Sequence, residues 1–224
     1  MLLKRSTKKE LMDDFSIKDG RIDSALNELK IINRYLGGVS VTEEGLAEFY
    51  RGKHSGPAFK ILDAGSGSSD ILFKIKKRFK EIRIYPLDKN LGVCYYLKKN
   101  NSPDIICGDI FALPYKEEYF SIAHASLFLH HFSPEELKII LENLLLVVKK
   151  GIIINELRRN IFAFIGIKIL TFFSRSELVK NDAPLSVKKG FIKKELEEIF
   201  KDIPAAGFTI KRKWAFRWLV VVLK

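Results

Sequence analysis

The spacing of apolar positions changes along the chain. Up to about residue 57 it is helical: Ile22, Leu26, Leu29, Ile32 and Leu36 fall on one side of a helix, with polar Asn33 among them. Gly37-Gly38 ends that helix, and a second short one is predicted over 42–50. From residue 58 short apolar runs alternate with amphipathic stretches. Strands are predicted over 59–62, 82–87, 104–107, 119–125 and 152–154, and helices over 69–79, 91–99 and 133–150. Ser133-Pro134-Glu135-Glu136 opens the last helix with a hydroxyl cap, a proline in the first turn and acids near the positive end. Gly151 is expected to stop it. Strands 208–213 and 217–223, joined through Trp214, are predicted to pair as a hairpin. This alternation predicts an α/β fold with seven strands, mostly parallel and covered by helices on both faces. Residues 1–57 form a helical lid or extension, and 58–224 form the main domain.

One stretch organises the rest: Ile61-Leu62-Asp63-Ala64-Gly65-Ser66-Gly67-Ser68-Ser69-Asp70. It reads as a buried strand, a Gly-rich turn and a helix start, at the crevice where open α/β sheets bind ligands. A dinucleotide turn wants a third glycine and helix N–H groups facing a pyrophosphate. Here Asp63 and Asp70 flank the loop, and two carboxylates repel a pyrophosphate. They suit a ligand with an amino group and a sulfonium. Asp88 ends the second strand about 20 residues later, where a carboxylate accepts from ribose hydroxyls. Asp109 follows the third strand and can accept from an adenine amino group, with Ile110 and Leu87 flanking the ring.

Composition narrows the class. The 224 residues are 47% apolar, which excludes disorder, and 224 residues suit one α/β domain with a modest extension. Cys94 and Cys107 have no paired spacing and no histidine cluster beside them. Neither a disulfide framework nor a zinc site is expected, no metal is assigned, and a reducing cytoplasm is implied. The first residues hold no long apolar run, so no signal peptide is predicted. The net charge is +12, and from Gly151 onward 15 Lys and Arg stand against 7 Asp and Glu. The basic half is either a solvated surface or a face for an acidic substrate or an anionic membrane. Without an arginine–aromatic stripe, nucleic acid is disfavoured as a partner.

Taken together, Leu62-Asp63-Ala64-Gly65-Ser66-Gly67, Asp88, Cys107-Gly108-Asp109-Ile110-Phe111-Ala112-Leu113-Pro114-Tyr115 and Ser126-Leu127-Phe128-Leu129-His130-His131-Phe132 resemble class I S-adenosylmethionine (SAM) dependent methyltransferases. The branch resembled is that of ubiquinone and menaquinone biosynthesis. Ser69 departs from the third glycine of many members. The resemblance implies a Rossmann-like sheet with an antiparallel final strand. It places SAM on Asp63, Gly65, Ser66, Gly67 and Asp70, with Asp88, Lys89, Asp109, Ile110 and Ser126 completing the cofactor set. Glu10-Leu11-Met12-Asp13-Asp14, Asn33-Arg34-Tyr35-Leu36-Gly37-Gly38, Asn155-Glu156-Leu157-Arg158-Arg159 and the run 174–187 are similar to a bacterial subgroup associated with type III polyketide synthases.

That resemblance implies O-methylation of a small aromatic or polyketide-like acceptor. C-methylation of a quinone-type ring, a nucleic-acid-binding protein that keeps the fold, and a nicotinamide oxidoreductase are the alternatives. An oxygen acceptor must lose a proton, and a neutral histidine is the natural base. His130 and His131 are the candidates; alternatively the pair only orders its loop and touches cofactor. Glu156, Arg158 and Asp182 are further candidates for acceptor contacts. Residues 160–174 are the most apolar stretch, within an insertion of about 160–190. They read as a buried helix, a wall for an apolar acceptor or a membrane-surface helix. Asp182-Ala183-Pro184-Leu185 reads as a loop closing the acceptor pocket.

Overall fold

In a computed structural model of the chain, which describes residues 4–17, 19–50, 58–100, 102 and 104–224, seven strands form one sheet. The strands are β1 (Phe59–Ala64), β2 (Ile82–Asp88), β3 (Ile106–Cys107), β4 (Phe120–Ser126), β5 (Val148–Leu157), β6 (Gly207–Lys213) and β7 (Arg217–Leu223). Their order is β3-β2-β1-β4-β5-β7-β6. β1 to β5 pair in parallel, whereas β7 enters antiparallel between β5 and β6. The helices are α1 (Gly20–Tyr35), α2 (Gly38–Phe49), α3 (Asp70–Lys76), α4 (Leu91–Lys99), α5 (Pro134–Val147), α6 (Ile161–Phe172), α7 (Glu177–Lys189) and α8 (Lys193–Lys201).

Strand alternation builds two cores. Leu62, Ala123, Ile152, Ile154, Val220 and Val222 point to one face, under Leu137, Leu141 and Leu144 of α5 and Leu196 and Phe200 of α8. Ile61, Ile122, Ile153, Leu219 and Val221 point to the other, under Val41, Leu46 and Phe49 of α2 and Ile71, Leu72 and Ile75 of α3. Both faces are covered, so the inward positions of these strands are mostly apolar, with Asp63, His124 and Asn155 as buried polar exceptions. The N-terminal segment is therefore part of the sheet's cover. α1 joins it through Ile22, Ala25 and Leu26, packed on Val93, Tyr96 and Leu97 of α4 and on Leu178 and Val179 of α7. The boundary expected after residue 57 lies beside residues 51–57, outside the described residues.

The structure moves several expected boundaries. α5 ends at Val147, and Gly151 lies inside β5, with φ at +150° and its Cα directed at β7. A Cβ there would sit 2.0 Å from the Val222 carbonyl oxygen, so strand pairing decides this glycine, not helix termination. Residues 182–185 are not a loop: they lie within α7, which carries Pro184 in its interior. Residues 161–172 form a helix, but not a buried one, because only Thr171 of α6 is buried. The expectation of no disulfide is also corrected: Cys94 and Cys107 are paired, with Cα atoms 6.1 Å apart. The β2–β3 ladder sets Cys107 opposite Asp88, and α4 brings the Cys94 sulfur within 3.5 Å of the Asp88 carbonyl oxygen. Sequence separation alone could not show that meeting. Among the described residues, no helix is long and apolar enough to cross a membrane.

Candidate active site

The carboxyl ends of β1, β2 and β4 open into a cavity of about 520 Å³. That suits a nucleoside-sized ligand together with a small second molecule. One wall is the turn after β1. Gly65 and Gly67 have φ of +60° and +49°, and Ser69 follows at +50°. A Cβ on Gly65 would lie 1.9 Å from the Phe128 ring, so both conformation and packing demand glycine there. Gly67 N–H donates to Asp88 Oδ2 (3.0 Å), and Asn90 N–H donates to Asp88 Oδ1 (3.0 Å). Burial raises the Asp88 carboxyl, and these two N–H groups oppose that. Each oxygen keeps a further lone pair for a ligand hydroxyl.

Asp63 is buried and fully engaged. Its Oδ1 lies 2.7 Å from His124 Nδ1, and its Oδ2 accepts from the Ser69 hydroxyl. Behind it runs a buried polar chain. His124 Nε2 meets Thr42 Oγ1 at 3.1 Å, and Asn155 Nδ2 donates to Thr42 Oγ1 (3.1 Å) and to the Gly38 carbonyl (2.9 Å). Arg217 then donates to Asn155 Oδ1 (3.0 Å) and Asn33 Oδ1 (3.1 Å). Asp63 thus fixes the loop to the sheet and, through His124, to α2. Asp70 opens α3, accepts from the Ser68 hydroxyl at 2.6 Å, and is raised by burial.

On the outer side, Lys89 donates to Asp109 Oδ2 (2.7 Å). This ammonium, more than burial, sets the Asp109 carboxyl below its usual range. Ile110 is buried beside it, and both line the cavity with Leu87. The hydroxyls of Ser66 and Ser126 are buried on the cavity wall without a protein partner among the described residues. Two orphaned hydroxyls, a positive-φ glycine turn and strand-end carboxylates fit a polar nucleoside ligand.

The far end of the cavity was only half legible. His130 and His131 sit on a 3-10 turn after β4, with rings stacked at 4.4 Å. His130 Nδ1 lies 2.9 Å from Glu156 Oε2, and its Nε2 lies 3.5 Å from Glu10 Oε1. Burial pulls the His130 pKa down, but Glu156 and Glu10 outweigh it and lift it to about 9. His131 Nδ1 lies 2.9 Å from Asp13 Oδ1, and the ring is only half-buried. Glu10 and Asp13 belong to an N-terminal strap that crosses the cavity. Burial pushes both carboxyls up, yet the histidines hold each at about 2. The ligand atoms of Glu10, His130 and His131 lie within 4.8 Å of one another, a spacing within reach of a metal ion. Lys189 Nζ, however, is already 3.4 Å from Glu10 Oε1 and 3.7 Å from Asp13 Oδ2, so an ammonium supplies the cation there.

Three expected acceptor contacts are placed elsewhere. Glu156 is fully buried and accepts from Phe128 N–H and Leu129 N–H, both at 2.7 Å. It anchors the histidine turn and does not line the cavity. Arg158 stacks over the Phe216 ring at 5.2 Å, away from the cavity. Asp182 caps the strap, accepting from Leu11 N–H (2.8 Å) and Met12 N–H (2.9 Å). The strap's own acids, Lys189 and the His124 chain were missed as chemistry. Nothing local links residue 10 to residues 130 or 189.

Comparison with known proteins shows what this arrangement is similar to. The family of methyltransferase domains matches residues 61–151, the stretch from β1 into β5. The matched stretch is less than half of the chain. No curated protein matches the sequence significantly. Human N-acetylserotonin methyltransferase, solved with SAM, superposes with a TM-score of 0.67 at 15% identity, over 98% of this chain. The chain spans about 60% of that enzyme's length. The plantazolicin methyltransferase BpumL, solved with S-adenosylhomocysteine, gives 0.66 at 13% identity, over 95% of this chain and 97% of that one. A SAM-dependent methyltransferase of Aquifex aeolicus gives 0.58 at 18%, over 88% and 95%. At these identities the likeness is one of fold.

Proposed function

We propose that this protein transfers a methyl group from SAM to an oxygen of a small aromatic or polyketide-like molecule. One observation carries the reading: a single cavity joins the β1 turn and Asp88 to an acid-backed histidine. The resemblance to the polyketide-associated subgroup supports an oxygen acceptor, and that to the quinone-biosynthesis branch keeps C-methylation of a quinone-type ring as the alternative. Bound SAM supplies an electrophilic methyl on a sulfonium. Asp88 would hold the ribose, Asp109 and Ile110 the adenine, and Gly65, Ser66, Gly67, Asp70 and Ser126 the remainder. Asp63 supports the loop from behind.

The two histidines divide the acceptor work. His130, raised to about 9, is an imidazolium at neutral pH and cannot accept a proton. It positions the turn and holds Glu10. His131 donates Nδ1–H to Asp13 in this reading, which leaves the Nε2 lone pair to take the acceptor hydroxyl's proton. Holding oxygen and methyl in line then contributes several kcal/mol.

Thermal unfolding with SAM, S-adenosylhomocysteine, NADH and NADPH tests the class. Ligand at about 100 times its Kd adds about 2.7 kcal/mol, or about 5–10 °C at this size. The shift is expected with the two adenosyl ligands and is lost in Asp88→Ala. A shift confined to a dinucleotide overturns the reading. Labelled SAM with phenols and pyrones then identifies the acceptor.

A further inference from the structure

α6 turns its apolar side outwards. Phe162, Ile165, Ile169 and Phe172 recur at helical spacing and are 70%, 48%, 62% and 74% exposed, and Phe173 beyond them is 80% exposed. Buried Thr171 marks the opposite side, towards α7. The helix is held at both ends. Arg158 N–H donates to the Phe216 carbonyl (2.8 Å), seating the β6–β7 turn beside its start, and Trp214 on that turn is 74% exposed. At its other end Arg175 N–H donates to Glu28 Oε1 (3.0 Å) on α1. Ile31 and Tyr35, three and seven residues beyond Glu28, are exposed on the same side of α1. The surface thus combines an aliphatic stripe with aromatic rings at its margins.

Charge decides what covers it. No acid occurs between Glu156 and Glu177, while Lys168 and Arg175 lie exposed in that interval, and Lys30 and Arg34 lie exposed on α1. A chain of net charge +12 is poorly matched to a second copy of itself. Apolar side chains ringed by cations match a phospholipid surface with anionic headgroups. Twelve residues, about 18 Å of helix, lie along such an interface and cannot cross it. We propose that α6, with the adjoining rings of α1 and the β6–β7 turn, docks this protein on an anionic membrane surface. The proposal stands apart from the methyl-transfer reading.

Co-sedimentation of the full chain with vesicles tests it. Phosphatidylcholine vesicles with and without phosphatidylglycerol are the probes. Binding is expected only with phosphatidylglycerol and falls as salt rises. Phe162→Ser/Ile169→Ser/Phe172→Ser is expected to weaken it at least about tenfold with the melting temperature retained, since all three side chains are exposed. Lys168→Glu/Arg175→Glu should weaken it by a similar factor, as each cation near the surface is worth about fivefold. No binding, or binding unchanged in the apolar variant, overturns the proposal. So does a wild-type dimer in light scattering that the apolar variant dissolves, because the face would then be covered by a second copy.

Discussion

Replacing Glu156 by glutamine isolates the support of the histidine turn. The carboxylate is buried, accepts three backbone N–H groups, from Phe128, Leu129 and Leu157, and faces His130 Nδ1 at 2.9 Å. A glutamine oxygen still accepts from Phe128 and Leu129, but the amide presents a donor or a neutral acceptor to the imidazole. The His130 pKa, about 9 in the folded protein against an ordinary 6.5, must then fall. Because the folded value lies above the unfolded one, this stabilisation is complete below pH 6.5 and is lost as the pH rises through about 9. The interval of about 2.5 pH units corresponds to about 3 kcal/mol. Glu10 retains part of it, so Glu156→Gln should cost about 2–3 kcal/mol at pH 6, or about 5–10 °C in Tm. Urea unfolding followed by far-UV circular dichroism, at pH 6 and pH 9.5, measures it. The gap between wild type and variant should shrink at the higher pH. A gap that is constant, or that grows with pH, refutes the assignment of His130 as a buried cation.

Two further substitutions probe the walls of the cavity. His131→Asn should lower kcat by about 10²–10⁴-fold in steady-state assays with an identified acceptor, while SAM still shifts the melting temperature; an unchanged kcat removes His131 as the base. Gly65→Ala meets a left-handed backbone and the Phe128 ring together. It should cost about 1–2 kcal/mol for conformation and about 1–3 for overlap. Adding Phe128→Ala should recover only the overlap, read by urea unfolding.

Much of the glycine-turn side of the cavity was legible because its signals are local. The period-2 and period-3.6 runs, the β1 turn and the acids ending β2 and β3 each announce themselves within a few residues. The histidine side was not, because its groups meet across the whole chain. Glu10 accepts from the Ser186 hydroxyl across 176 residues, and Asp182 caps a turn 170 residues away. Glu156 was a candidate acceptor contact. Its neighbours on β5 and the turn after β4 enclose it instead. Arg158 likewise found an aromatic ring, and Pro184 was absorbed into α7 rather than breaking it.

By itself the sequence determined the order of the strands, the covering of both faces of the sheet and the glycine turn, since backbone sterics and apolar periodicity act within one element. Only the tertiary structure decided which carboxylates are taken up by the protein's own donors. A carboxylate's role depends on the donors that surround it, and those arrive from distant elements: His124 for Asp63, the Leu11 and Met12 amides for Asp182, His130 for Glu156. The same holds for α6. Its composition is that of a core helix, yet the sheet faces are covered by α2, α3, α5 and α8, and α6 packs on α7 instead.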